Sequence, residues 1–194
     1  ETAALAAATL RGETRLVDLG CSTGALLEAV LQHDLPETCE LVGVDDSAAM
    51  IEEARRRIRD PRVRFVCGDL LDGLDARVAF VAANYTLQFL PVARRDDVLC
   101  VIRDRLIDGG CVVVTEKTRH PNRALEALRD ARYMAYKRRR GYSELEIAQK
   151  REALRGVLVT ETHRAWEERF ERAGFGEWGV LWQALAFTTW VLRP

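Results

Sequence analysis

Val17-Asp18-Leu19-Gly20-Cys21-Ser22-Thr23-Gly24 is a short apolar run that breaks into glycines and small polar residues, and Ala25–His33 behind it carries leucine and valine at helical spacing. The order is strand, tight turn, helix. Glycine admits left-handed backbone angles and lets main-chain amides approach a ligand before the helix starts, so such a turn depends on Gly20 and Gly24. Outward from it the alternation continues. Arg15–Leu19, Leu41–Asp45, Arg64–Cys67, Val78–Asn84 and Cys111–Glu116 read as strands, with Ala25–His33, Ala48–Arg59 and Ala93–Leu106 as amphipathic helices between them. That pattern predicts an α/β domain: a mostly parallel, doubly wound sheet with helices on both faces.

After the fifth strand, Asn122–Arg140 and Glu144–Leu158 read as two charged helices parted at Gly141, a helical insertion over about 122–158 placed to cap the site. Arg164–Ala173 is a further helix stopped by Gly174, and the apolar runs Gly179–Trp182 and Ala184–Leu192 follow as an antiparallel terminal hairpin. No repeat or Pro/Gly/Ser linker divides the chain, so residues 1–194 are expected to form one domain.

Composition narrows the function classes. No run approaches the roughly 18 apolar residues of a membrane span, and no basic region precedes the alanines at the start, so a soluble, cytoplasmic protein is expected. Cys21, Cys39, Cys67, Cys100 and Cys111 are odd in number and lack C-x-x-C spacing, as suits reduced thiols. His33, His120 and His163 are scattered, and no metal centre is expected. A formal net charge of −1 gives no general attraction for nucleic acid.

The glycine turn has a partner. Asp45 ends the next strand, where a carboxylate can accept hydrogen bonds from both ribose hydroxyls of a nucleoside. Neither G-x-G-x-x-G nor G-x-x-x-x-G-K-[ST] is present, so a cofactor without phosphates fits better than a dinucleotide or a nucleoside triphosphate. Asp69, after the third strand, can meet an adenine amino group, Leu70 can pack on the ring, and Asn84 ends the fourth strand facing the reacting end. Taken singly, each has an ordinary explanation as a turn residue or helix cap. Together they converge at the carboxyl ends of four strands, where open α/β sheets bind ligands.

VDLGCSTG, GVDDSAAMIE, NYTLQFL and GYSELEIAQKR, with ETH and AGF at Glu161–His163 and Ala173–Phe175, resemble the carboxy-S-adenosyl-L-methionine synthase family, which serves wobble-uridine modification in bacterial tRNA. The resemblance spans nearly the whole chain. It implies a Rossmann-like class I methyltransferase fold, in which a terminal hairpin is common, and S-adenosyl-L-methionine or its carboxylated form as cofactor. Carried over by position, the cofactor contacts fall on Gly20, Cys21, Ser22, Asp45, Asp46, Asp69, Leu70, Asn84 and Arg151. Arg151 would bind the carboxylate added to the methyl carbon, since a guanidinium fork can hold it bidentately where lysine offers a point charge. Tyr142 is expected to add a hydroxyl beside it. The family reaction implied takes its carboxyl group from prephenate, and a homodimer with contacts through Asn122–Leu158 is implied as well. No side chain presents itself as a general base. The chain departs from the family at Tyr133 and Met134, where the family has histidines, and in the more apolar Leu181–Phe187.

Two other readings compete. A methyltransferase acting on a small molecule or natural-product intermediate would keep the nucleotide site and change the cap. RNA binding could use Lys137-Arg138-Arg139-Arg140-Gly141-Tyr142, a basic run beside an aromatic, although such a run also suits a solvated helix C-terminus.

Overall fold

A computed structural model describes residues 1–194. Its strands are β1 (Arg15–Leu19), β2 (Glu40–Asp45), β3 (Val63–Cys67), β4 (Val78–Asn84), β5 (Leu106–Arg119), β6 (Glu161–Thr162), β7 (Glu177–Ala184) and β8 (Phe187–Arg193). Its helices are α1 (Thr2–Thr9), α2 (Ala25–Val30), α3 (Ala48–Arg57), α4 (Val92–Arg105), α5 (Arg123–Arg139), α6 (Glu144–Ala153) and α7 (His163–Arg172). The sheet runs β3-β2-β1-β4-β5-β8-β7, parallel through β5 and antiparallel in the terminal hairpin, with β6 pairing the end of β5.

The strand sequences explain the two layers of helix. Val78–Ala83 is an unbroken apolar run, buried along its length, as expected of a central parallel strand covered on both faces. Period-2 alternation sorts its side chains into two cores. Phe80 and Ala82 join Leu16, Leu41 and the inner faces of α2 and α3 on one side. Val81 and Ala83 join Val17, Val42, Val98 and Leu99 of α4, and Trp166 and Phe170 of α7, on the other. Because β1 pairs in parallel with both β2 and β4, the strand order reverses beside it, and a crevice opens beyond the carboxyl ends at that switch point.

The strands fall where the sequence places them, with differences that have local causes. β5 begins at Leu106 instead of Cys111: Leu106 pairs with Val78, the register then slips so that Phe80 faces Cys111, and Asp108-Gly109-Gly110 is absorbed as a bulge. Helix α6 stops at Ala153 instead of Leu158, ahead of Gly156 at φ 74°. Helix α2 stops at Val30, short of His33, and α3 at Arg57, short of Arg59. α1 and β6 are elements that the sequence reading left out. The Ala6 side chain of α1, with Leu10 just beyond it, is buried against the α2 face of the sheet.

Asp18 lies in the middle of β1 and is 3% exposed. Burial, and secondarily the charge of Asp45, raises its pKa from the ordinary 3.8 to about 7. The folded chain therefore keeps a proton that the unfolded chain releases. That contribution to stability is complete below the ordinary pKa and is lost as pH rises through about 7. Asp18→Asn, which needs no proton, is expected to exceed the wild type in stability by on the order of 1–4 kcal/mol above about pH 8, with the gap closing toward about pH 4. Urea denaturation at both ends of this range measures it, and a variant less stable than wild type at the alkaline end contradicts it.

Candidate active site

The turn after β1 is held in a conformation that few sequences tolerate. Gly20, Ser22 and Gly24 all take positive φ, at 72°, 49° and 79°. The amides of Gly20 and Cys21 both donate to the Val44 carbonyl, tying the turn to β2. A side chain at Gly20 would meet the Thr86 hydroxyl at 2.5 Å, and that hydroxyl donates to the Leu19 carbonyl across 2.7 Å. Gly20 is thus required twice, for its backbone angle and for the close approach of the chain after β4. Ser22 pays a left-handed strain of the kind found at ligand sites. Its amide donates to Asp45 Oδ2 at 2.9 Å, while Asp45 Oδ1 accepts from Ser47 N at 3.0 Å.

A cavity of about 700 Å³ lies over this turn, within the usual range of small-molecule sites. Gly20, Ser22, Asp45, Asp46, Asp69, Leu70 and Asn84 all line it, so seven of the expected contacts meet in one place. Asn84 is oriented from behind: the Thr115 hydroxyl, itself 3.0 Å from that of Thr189, donates to Asn84 Oδ1 at 2.8 Å, which leaves the Nδ2 hydrogens as donors. Asp69 also caps the short turn Leu70–Gly73, accepting from Leu71 N at 3.1 Å, and lies 3.3 Å from Arg94. The Leu71 amide, and after it Arg94, hold the Asp69 carboxyl below its ordinary range. Arg94 and Thr115 were not marked by the sequence, because neither belongs to a motif.

Three expected contacts, Gly24, Cys21 and Arg151, stand apart from this cavity. Gly24 N-caps α2 outside the cavity, and a side chain there would meet Ile58 and Phe65, so its smallness serves helix–strand packing. Cys21 is buried, and its thiol would be the near neighbour of any side chain at Gly43. Burial first, then Asp18 and Asp45, push that thiol's pKa well up, so it stays protonated and is no nucleophile.

Beyond Asn84 the chain turns sharply. Tyr85 takes φ 59°, and the short turn Leu87–Phe89 follows. Buried Glu116 accepts from the amides of Leu87 at 2.8 Å and Gln88 at 3.2 Å. Burial still raises its pKa to about 8 against those donors and nearby Arg95. Gln88 in turn accepts from Lys117 N at 3.1 Å and donates to the Tyr85 carbonyl at 3.3 Å. Arg95, with no exposed surface, donates to the carbonyls of Gln88, Leu90 and Val159 and to Glu161. Tyr85 and Phe89, fixed in this way, form the wall shared by the first cavity and a second of about 550 Å³.

Arg151 and Lys150 reach the second cavity from α6, Lys137 and Tyr133 from α5, and Lys117 from β5. The inserted helices are therefore a cap, as expected. Tyr142 is not part of this cavity. It sits on the bend between α5 and α6, 54% exposed, beside a separate groove, and Tyr133 with Met134 line the cavity instead. The basic run Lys137–Tyr142 does not form one face either: Lys137 enters the cavity, Arg138 pairs with Glu144, and Arg140 packs on the Tyr136 ring.

Comparison with known proteins follows the same division into a general and a specific part. The methyltransferase domain family matches residues 16–110. A carboxy-S-adenosyl-L-methionine synthase of Idiomarina loihiensis is 36% identical over 179 residues, covering 90% of this chain and 74% of the relative. One from Pseudomonas savastanoi pv. phaseolicola is 35% identical, covering 98% and 80%. Among solved structures, the DhpI-SAM-HEP complex superposes with a TM-score of 0.68 at 23% identity, over 98% of this chain and 82% of the other, a likeness of fold.

Asp45 is braced by two backbone amides, whereas Asp46 is exposed beside it. Asp45→Ala is expected to weaken S-adenosylhomocysteine, used as a nucleoside probe, by about tenfold or more, and Asp46→Ala by much less. Equal, small losses in calorimetric titration would refute this placement of the ribose.

Proposed function

The chain belongs to the carboxy-S-adenosyl-L-methionine synthase family, and from that membership we propose that it is an S-adenosylmethionine-dependent transferase that places a carboxylate on the methyl carbon of its nucleoside substrate. One observation carries the assignment beyond the generic nucleotide site: Arg151 lines a cavity with Lys117, Lys137 and Lys150, across a shared wall from the nucleoside cavity. A methyltransferase acting on a neutral acceptor has no use for four cations facing its reacting end.

The residues present suit the nucleoside. Asp45 supplies ribose acceptors, Leu70 an apolar face and Asn84 Nδ2 a donor toward the reacting end. S-adenosylmethionine supplies the acidic methyl group on its sulfonium. The protein's part is to position two ligands, to hold carboxylates on fixed cations and to keep water from the junction at Tyr85 and Phe89. Prephenate is the proposed carboxyl donor, a ring with two carboxylates matched by an aromatic, cationic cavity. The proposed setting is tRNA modification in the cytoplasm, through a small-molecule product and without direct RNA contact. No helix of the chain is long and apolar enough to cross a membrane.

Purified protein is expected to carry a nucleoside heavier than S-adenosylmethionine by carbon dioxide, with more produced on addition of prephenate. Arg151→Ala should weaken the carboxylated nucleoside by more than about tenfold, on the order of 2–5 kcal/mol for a carboxylate left unpaired, and plain S-adenosylmethionine much less. Arg151→Lys restores part of the difference, because the charge returns without the fork. Mass spectrometry and calorimetry read both. If no heavier nucleoside is found, prephenate is inert and both ligands weaken alike, the methyltransferase reading replaces this one.

A homodimer is proposed on the same family ground. Helix α5 buries no residue within its own chain, and Leu125, Leu128 and Leu145 of the cap are 47%, 63% and 66% exposed. Light scattering at micromolar concentration is expected to give twice the 21.9 kDa chain mass, and a monomeric mass counts against it.

A further inference from the structure

Tyr85 and Phe89 alone line both the nucleoside cavity and the cationic one, and of the two only Tyr85 brings a polar side chain. A ligand that reaches from one cavity into the other passes its hydroxyl. Tyr85 also borders a third cavity of about 420 Å³, walled by Leu26 of α2 and by Leu181 and Trp182 of β7. No other residue meets all three. Three cavities opening on one side chain match a ligand with three arms on one atom, as a sulfonium has.

The chain accepts strain to place this side chain. A positive φ is a marked outlier for a bulky aromatic, and Tyr85 takes 59°. Its amide donates to the Thr115 carbonyl at 2.6 Å and its carbonyl accepts from Gln88 at 3.3 Å, so the backbone is fixed on both sides. The ring stands edge-on to Phe187, with centroids 5.5 Å apart. The hydroxyl takes part in none of these contacts, and the residue remains 44% exposed. Partial burial, and after it the charge of Glu116, holds the phenol above its ordinary pKa. Near neutral pH it therefore keeps its proton and is a donor, not a base.

We infer, on the carboxyl transfer proposed above, that the Tyr85 hydroxyl donates a hydrogen bond to the carboxylate on the nucleoside's methyl carbon, and that Tyr85 thereby selects the carboxylated over the plain nucleoside. Arg151 supplies charge from the cap, and Tyr85 a neutral donor from the sheet, at the wall that the carboxylate has to cross. The two are placed independently: Arg151 stands on α6, whereas Tyr85 is held by β5 and by the turn Leu87–Phe89.

Tyr85→Phe keeps the ring and its packing on Phe187 and removes only the hydroxyl. Calorimetry on the full chain, with the carboxylated nucleoside and with S-adenosylhomocysteine, isolates the contact. The carboxylated nucleoside is expected to weaken about tenfold and S-adenosylhomocysteine less than about twofold, as the loss of one hydrogen bond to a charged group implies. Retained S-adenosylhomocysteine affinity reports that the variant is folded. Parallel losses of both ligands, or an unchanged affinity for the carboxylated one, overturn the contact. If Arg151→Ala abolishes the wild-type preference for the carboxylated nucleoside while Tyr85→Phe leaves it whole, the synthase reading stands and the hydroxyl contact falls. A Tyr85-dependent preference in a protein that forms no carboxylated nucleoside from prephenate does the reverse.

Discussion

A carboxyl group sealed from water, that of Glu116, holds up the wall on which both cavities lean. Its two oxygens take the amides of Leu87 and Gln88, groups that begin a turn too short to satisfy them internally. Those bonds bend the segment after β4 back over the sheet, next to Tyr85, whose left-handed backbone is held by its own amide on the Thr115 carbonyl and by Gln88 on its carbonyl. Arg95 closes the same wall from the other side. By donating to Gln88, Leu90 and Val159 it fastens the turn to the segment by which the chain returns from the cap. The two cavities and the cap therefore share one hydrogen-bonded foundation.

The second cavity reverses the usual accounting for surface charge. Most exposed arginines and lysines are solvated or weakly paired and contribute little. Here four cations share a cavity with a single carboxylate, Asp130, while Glu126, Glu144 and Glu152 are paired elsewhere, a distribution that weakens the empty protein and strengthens its hold on an anion. The cluster of buried Arg95 and Arg169 with the partly exposed Glu161 and Asp96 shows the opposite solution in the same chain, since each of those charges has a partner.

Much of the fold was legible because parallel strands buried on both faces read as apolar runs, and β1 to β5 are such runs separated by helices of ordinary length. The lining of the first cavity was legible for a related reason: Gly20, Asp45, Asp69 and Asn84 sit at the ends of successive strands, so chain order and spatial order coincide. That coincidence ends at the cap. Lys117, Lys137 and Lys150 belong to three elements and meet only through the angle at which α5 and α6 pack, which spacing does not encode. Tyr142 was favoured for its place in a motif, whereas Tyr133, nine positions earlier on the facing side of α5, does the lining. Gly24 belongs to the right motif for another purpose, and α1 escaped notice because a run of alanines has helix propensity without an amphipathic pattern.

The cap helices bury almost nothing of their own: α5 has no buried residue and α6 has Ile147. Helical segments so poorly anchored have little local free energy to lose, and they open independently of the sheet. Their backbone amides will exchange with solvent long before those of β4, and a protease will find Lys137–Arg140 before any other basic stretch of comparable length. Order in this part of the molecule has to be lent from outside, by an anion on the lysines or by a second subunit on the exposed leucines. Occupancy of the cavity is thereby recorded as protection of a segment some 30 residues long, a signal readable by hydrogen exchange with no assay of chemistry.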